Sequence, residues 1–192
     1  MEMIRQIFHA LKTNIPVATV VVSIGLALLG YLATYINARI LTRKKDRLEL
    51  VNMRLNEFYG PLYVASKAGR IAYEALLTKL GRKAVFEAGE EPSQTELEEW
   101  FLWMRTVFTP LNEVQEKLII GKAHLIVEEQ MPKCLLEFVT HVVGYKAVLA
   151  KWENGDFSEK YSLIDFPPDF DEYVTRSYAD LKSQQTRLLA SL

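Results

Sequence analysis

Apolar positions along this chain fall into two regimes. From Thr13 to Ala38 the sequence TNIPVATVVVSIGLALLGYLATYINA runs for 26 residues without one Asp, Glu, Lys or Arg, between Lys12 and Arg39. A bilayer's hydrocarbon core is ~30 Å thick and takes ~20 apolar residues at ~1.5 Å rise per residue. The stretch is long enough to span it. A buried core helix rarely keeps more than ~14 uncharged residues together. A signal peptide's apolar region is shorter, at ~7–15 residues, and leads to a small-residue cleavage site rather than a basic cluster. The pattern therefore predicts a transmembrane helix over 15–38. Beyond it, apolar residues recur every third or fourth position almost to the end.

The flanks extend this picture. Ile4, Ile7, Phe8 and Leu11 share one helical face, which predicts an amphipathic interfacial helix over 1–14. Leu48, Val51, Leu55, Phe58 and Leu62 continue the period, and no Gly, Pro or Ser lies between Tyr31 and Asn52. The span is thus expected to run without a linker into a basic juxtamembrane helix over 39–60. A rigid continuation of that kind could carry rotation or displacement between domain and membrane.

Punctuation divides the remainder, 61–192, into the helices of one bundle domain. Gly60-Pro61 is expected to end the juxtamembrane helix, because a residue before proline is pushed out of the α region and proline suits a helix's first turn. A second helix follows over Pro61–Leu80, closed by Gly81. Residues 81–92 read as a loop, and Ser93 with Glu96 forms a capping box for a third helix. Its apolar face holds Leu97, Trp100, Phe101, Met104, Val107 and Phe108. Thr109-Pro110 should kink or restart it, with Leu111, Val114, Leu118 and Ile119 extending the stripe. Another helix opens at Met131-Pro132, carries Leu135, Phe138, Val139, Val142, Val143, Leu149 and Trp152, and closes at Asn154-Gly155. Residues 154–168 read as an ordered loop. The last helix starts near Pro168-Asp169 and carries Phe170, Tyr173, Val174, Leu181, Leu188 and Leu189. No stretch alternates with period two for the length of a strand. The predicted fold class is all-α: one N-terminal transmembrane helix continuing into a cytoplasmic bundle of about five helices.

Charge orients this arrangement. Residues 39–83 hold eleven Lys or Arg against four Asp or Glu, whereas residues 84–192 hold ten against nineteen. Arg39, Arg43, Lys44, Lys45 and Arg47 follow the span, against two basic residues in the twelve before it. The positive-inside rule then puts the C-terminal domain in the cytoplasm, with the basic helix facing anionic lipid headgroups. An acidic remainder argues against double-stranded nucleic acid as a partner. Cys134 is the single cysteine, so no intrachain disulfide forms and a reducing compartment is the natural reading. Within the span, Ser23, Ala27, Gly30 and Thr34 recur at spacings of 4, 3 and 4. Such a stripe of small residues lets helix backbones approach in lipid, which favours a homo-oligomer. The plainer alternative is that these residues are simply common in membrane helices.

Catalytic signatures are missing: no HExxH, no paired cysteines, no Gly-rich phosphate loop and no nucleophile elbow. Adjacent carboxylates such as Glu98/Glu99, Glu128/Glu129 and Asp171/Glu172 point about 100° apart on a helix and read as solvated surface. His124, His141 and Cys134 do not make a metal-ligand pattern. The chain is therefore read as a non-enzyme with no cofactor and no metal. What remains are polar residues set among aromatic ones: Lys67 and Arg70, Trp103 and Arg105, Asn112, and the group His141, Tyr145 and Lys146. Lys and Arg beside aromatic rings can hold an anionic, ring-bearing ligand by ion pairing and stacking. In that reading Lys67, Arg70, Arg105 and Lys146 neutralise phosphate, His141, Tyr145 and Trp103 meet the bases, and Asn112 bonds a base edge. Residue by residue, each also has a bland reading as a satisfied buried polar group or a solvated face.

These same stretches carry a resemblance. LNEFYGPLY (55–63), EEWFLWMRTVFTPLNE (98–113), AHLIVEEQMPKCLLEFVTHVVGYKAVLAKWENGDFS (123–158) and FPPDFDEYVTRSYADLKSQQ (166–185) resemble a recurrent set of bacterial proteins, most with an N-terminal membrane segment. The pairing of FYGPLY with W-x-x-x-VFTPLNE is its most specific part, and it brings no catalytic motif. The layout also resembles membrane effectors of type III CRISPR antiviral systems, whose cytoplasmic domain binds a cyclic oligoadenylate. The resemblance implies a membrane-anchored, oligomeric sensor or effector of antiviral defence at the bacterial inner membrane, single-pass, with a cyclic oligonucleotide as ligand. From a different class, the alternative is a non-enzymatic scaffold that recruits another protein to the membrane. An exposed apolar patch and dispersed basic positions would mark that case.

Overall fold

A computed structural model describes residues 2–13, 15–87 and 89–192, and the side chains of all of these except 9–18. The described residues are helical or irregular and contain no strand, so the chain is all-α. It divides into two units, 1–48 (with Leu192) and 49–191.

In the first unit α1 spans Glu2–Thr13 and α2 begins at Ile15, continuing to Arg54. Ile4, Ile7 and Phe8 of α1 are exposed; the side chain of Leu11, like Met1 and Asn14, lies outside the described residues. The helical run from Thr19 to Leu80 contains a segment long and apolar enough to cross a membrane, and none of that segment is buried inside the protein. Serine and threonine hydroxyls along α2 bond back within the helix. Ser23 Oγ donates to the Thr19 carbonyl at 2.8 Å, Thr34 Oγ1 to Gly30 at 2.8 Å and Thr42 Oγ1 to Ala38 at 3.0 Å. Bonds back to the i−4 carbonyl are what a helix in hydrocarbon needs, since nothing else there accepts them.

The second unit holds the end of α2 and five further helices: α3 (Gly60–Leu80), α4 (Gln94–Trp103), α5 (Thr109–Gly121), α6 (Lys133–Glu153) and α7 (Phe170–Ala190). Its core is two apolar clusters. Phe58, Tyr59, Leu62, Leu135, Phe138 and Phe170 anchor one, and Leu76, Trp100, Met104, Phe108, Val148 and Trp152 anchor the other. Several helix ends follow their sequence signals. Ser93 Oγ accepts from the Glu96 amide at 3.3 Å while the Glu96 carboxylate accepts from the Ser93 amide at 2.7 Å, a complete capping box. Gly81 closes α3 at φ +67°, and Gly155 turns the chain after α6 at φ +78°.

Gly60-Pro61 behaves otherwise than expected, since the helical run continues through it, whereas at Thr109-Pro110 a helix restarts as α5, one of the outcomes expected there. Each junction is absorbed by a π-helical turn, Leu55–Tyr59 before Pro61 and Met104–Phe108 before Pro110. Gly60 donates its amide to the Leu55 carbonyl and Thr109 donates to Met104, both five residues back. A proline ring collides with the carbonyl four residues before it, and a wider turn relieves that collision. The inserted residue also rotates everything after it by about 100°. Of the stripe expected on α5, Ile119 is buried and Leu118 packs against the core, while Val114 is exposed and Gln115 and Glu116 are buried. On α6, Leu135, Phe138, Val142 and Trp152 are buried as expected, Val143 is exposed, and His141 and Tyr145 are buried.

Gly60 is fixed by the first π turn, since a Cβ there would lie 2.4 Å from the Leu55 carbonyl oxygen. Gly60→Ala should destabilise the protein by ~1–3 kcal/mol, the usual cost of overpacking. Chemical unfolding of the detergent-solubilised chain checks this, and an unchanged midpoint would show that the turn relaxes freely.

Candidate functional site

At the junction of the two apolar clusters the second unit forms a solvent-open cavity of about 750 Å³, with walls drawn from both. That size lies within the range of ~300–1,000 Å³ usual for small-molecule sites. α3 contributes the small residues Ser66 and Gly69, followed by the larger Arg70, Tyr73, Glu74 and Leu77. Trp100 of α4, Met104 and Phe108 of the second π turn, and Asn112 and Gln115 of α5 form the opposite wall. His141 and Tyr145 of α6, with residues 161–166 and the start of α7, complete it.

Two irregular segments reach this cavity because side chains pin them. In the 81–92 loop, the amides of Lys83 and Ala84 both donate to Glu87 Oε1 at 3.0 Å, and these bonds hold the Glu87 carboxyl below its ordinary range. Arg82 pairs with Glu96 at the start of α4; that guanidinium and the Ser93 cap hold the Glu96 carboxyl down at about 2. The loop thereby places Phe86 edge-on to Trp100, with centroids 5.4 Å apart, and 4.8 Å from Tyr161. In the 154–169 loop the fasteners are ring N–H groups. Trp100 Nε1 donates to the Lys160 carbonyl at 2.9 Å and Trp152 Nε1 to Glu159 at 2.7 Å. Gly144 lets the loop lie close to α6: a Cβ there would come within 2.6 Å of Ser162 Oγ and 3.0 Å of Ile164 Cδ1.

His141 is the third fastener. Its Nδ1 lies 2.7 Å from the Ile164 carbonyl oxygen, so that nitrogen carries the proton and Nε2 is left as an acceptor. Burial pushes the imidazole below the ordinary histidine range, against the opposing pull of the Ile164 and Asp165 backbone. Burial likewise pushes the Tyr145 phenol up to about 12, so it stays protonated. Its ring meets His141 edge-on at 5.1 Å.

The charged lining is mixed and exposed. Arg70 Nε donates to Glu74 Oε1 at 2.8 Å, and its Nη1 lies 3.6 Å from Asp171 Oδ2. Ser66 Oγ donates to Asp171 Oδ1 at 2.6 Å. Lys83 is the second cation of the lining, and Glu74, Asp165 and Asp171 are its carboxylates. Arg70 is thus answered by acids before any ligand arrives, and at its exposure those pairs are worth little.

Of the residues singled out in the sequence, Arg70, Asn112, His141 and Tyr145 line the cavity. The other four lie elsewhere. Lys67 sits 5.7 Å over the Tyr63 ring. Arg105 lies 5.9 Å from the Trp152 centroid and 5.7 Å from that of Phe157. Trp103 packs 6.0 Å from Phe108. Lys146 is held by both oxygens of the buried Glu116 at 2.7 Å, beside a separate crevice of about 10 Å³. Sequence reasoning missed Gln115, Lys83 and Ser66. Gln115 was findable as the i+3 neighbour of Asn112 on α5.

Among the described residues no group of three His, Cys, Asp or Glu side chains converges to hold a metal. No family model, curated protein or solved structure matches this chain.

The lowered His141 pKa has a defined consequence. The unfolded chain takes the proton first, so this residue's contribution is complete above its unfolded pKa of about 6.5 and is lost as pH falls below it. Replacing the ring by His141→Asn, which keeps a donor for the Ile164 carbonyl, should flatten the stability profile as pH falls below about 6.5. Thermal unfolding across that window checks it.

Proposed function

We propose that this protein is a membrane-anchored, oligomeric sensor or effector whose compact unit binds a ring-bearing anionic nucleotide of the cyclic oligoadenylate type. The observation that carries the reading is the cavity itself, large, walled by Tyr73, Phe86, Trp100, Phe108 and Tyr145, and rimmed by Arg70 and Lys83. Aromatic walls stack bases, and cations at an exposed rim suit phosphate. In the cell the apolar helix crosses the bacterial inner membrane once. The basic cluster after it keeps the compact unit in the cytoplasm, and the small-residue stripe of the span drives self-association. The placement in antiviral defence, with ligand binding acting on the membrane, rests on the resemblance in layout. Isothermal titration of the full chain in detergent with adenosine 5′-monophosphate and cyclic oligoadenylates of increasing ring size is the test. Binding is expected, weakened about tenfold or more by removing Arg70 and Lys83 together. Silence from every nucleotide sinks the proposal.

One observation favours the scaffold reading. On α3, Pro61, Val64, Ala68, Ile71 and Ala75 recur at spacings of 3, 4, 3 and 4 and are all exposed, Val64 at 65% and Ile71 at 66%. Such a face fits a partner helix. If it does, the double change Val64→Asp with Ile71→Asp removes protein cross-links formed in native membranes and leaves nucleotide titration untouched. Unaltered cross-links would count against this reading.

A further inference from the structure

The outward face of α3 carries no charge from Pro61 to Thr78. Pro61, Val64, Ala68, Ile71, Ala75 and Thr78 recur at spacings of 3, 4, 3, 4 and 3, and every one of them is exposed. This is the a/d seam of a coiled coil. Single apolar residues are ordinary on a protein surface, but an unbroken line of them is not. Val64 and Ile71 alternate with Ala68 and Ala75, so each large side chain has small neighbours to pack among. Thr78 donates its hydroxyl to the Glu74 carbonyl at 2.8 Å and so needs no polar partner across the seam.

We infer that this face is an interface between copies of the chain, the α3 seam of one packing against the α3 seam of a second. The pairing rests on the oligomeric reading proposed above and gives it a surface in the compact unit. Charges beside the seam identify the occupant. Counted in heptads, Lys67 and Glu74 stand at g positions and Lys79 at an e position. If two copies of α3 run parallel, Glu74 faces Lys79 of the second copy; if they run antiparallel, it faces Lys67. In either sense the acid meets a base, and at these positions no like charges oppose each other. Glu74 has an oxygen for this contact, because Arg70 bonds to Oε1 alone and the side chain is 59% exposed. Lys79 is 53% exposed in its pair with Glu99, and Lys67 lies over the Tyr63 ring. Exposed pairs of this kind are weak and readily shared. Size points to the same occupant. At ~1.5 Å per residue the seam is ~27 Å long, and at ~10 Å wide it offers ~270 Å² per partner, against the ~800 Å² that a specific complex usually buries. So small a patch does not capture a protein from solution. It suits chains already concentrated in one membrane by their own spans.

Cysteine cross-linking of the full chain in phosphatidylethanolamine–phosphatidylglycerol vesicles tests this, with Cys134→Ala removing the native thiol. Ala68→Cys reports on the seam. Leu136→Cys, on α6 and 60% exposed, reports on random collision, and Ala27→Cys on association of the span. Under mild oxidation Ala68→Cys is expected to yield dimers of this chain about tenfold faster than Leu136→Cys. Adding Val64→Asp with Ile71→Asp should bring that rate down to the collision level. Glu74→Lys should slow it too, and a further Lys79→Glu or Lys67→Glu should restore it, the first for parallel and the second for antiparallel helices. A rate at 68 no higher than at 136, or one indifferent to the two aspartates, overturns the inference, as does rescue by neither charge reversal. Should the aspartate chain fail to fold, the charge reversals decide alone. Cross-linking at 27 but not at 68 overturns the inference and leaves the oligomeric reading standing. Cross-linking at neither overturns both.

Discussion

A proline inside a helix removes one amide donor and drives its ring toward the carbonyl four residues earlier. This protein meets that constraint twice, at Pro61 and Pro110, and both times widens the preceding turn instead of ending the helix. Much of the compact unit follows from that solution. The first π turn buries Phe58 and Tyr59 together, edge to face at 4.7 Å, at the centre of one apolar cluster. Tyr59 OH then meets Tyr173 OH at 3.1 Å, and burial holds both phenols above their ordinary range. On α5, which follows the second π turn, Val114 is exposed and Gln115 and Glu116 are buried. One of these residues lines the cavity and the other neutralises Lys146.

The cavity is consequently a by-product of two things that do not pack as regular helix. Its floor depends on the phase set by a π turn, and its cover is an irregular loop held by ring N–H donors. Trp100, Trp152 and His141 each spend a ring nitrogen on a loop carbonyl. In a protein core a donor of that kind must be paired in any case. Here the pairing also decides where residues 159–164 lie. The rim, by contrast, is loosely specified, with Arg70 shared between Glu74 and Asp171 and largely solvated.

Reading the sequence for charge and aromatic neighbours placed four of its eight candidates on the cavity wall. Arg70, Asn112, His141 and Tyr145 reach the cavity because their positions on α3, α5 and α6 happen to face it. Lys67, Arg105 and Lys146 carry the same chemistry on other faces and are occupied by Tyr63, Trp152 and Glu116. Composition cannot separate these cases, because a cation beside an aromatic ring is equally a cavity wall or a snorkelling surface pair.

The apolar span, the all-α class, the capping box at Ser93 and the left-handed turns at Gly81 and Gly155 were set by the sequence alone. Each is a local matter of period, length or backbone freedom, and local rules suffice to read it. The continuation of helix through Gly60-Pro61 and Thr109-Pro110, the inward turn of Gln115 and the approach of the 154–169 loop to Gly144 were decided only by tertiary structure. Their reason is shared. A proline's missing donor permits either a break or a widened turn, and which one forms depends on what the rotated face then buries.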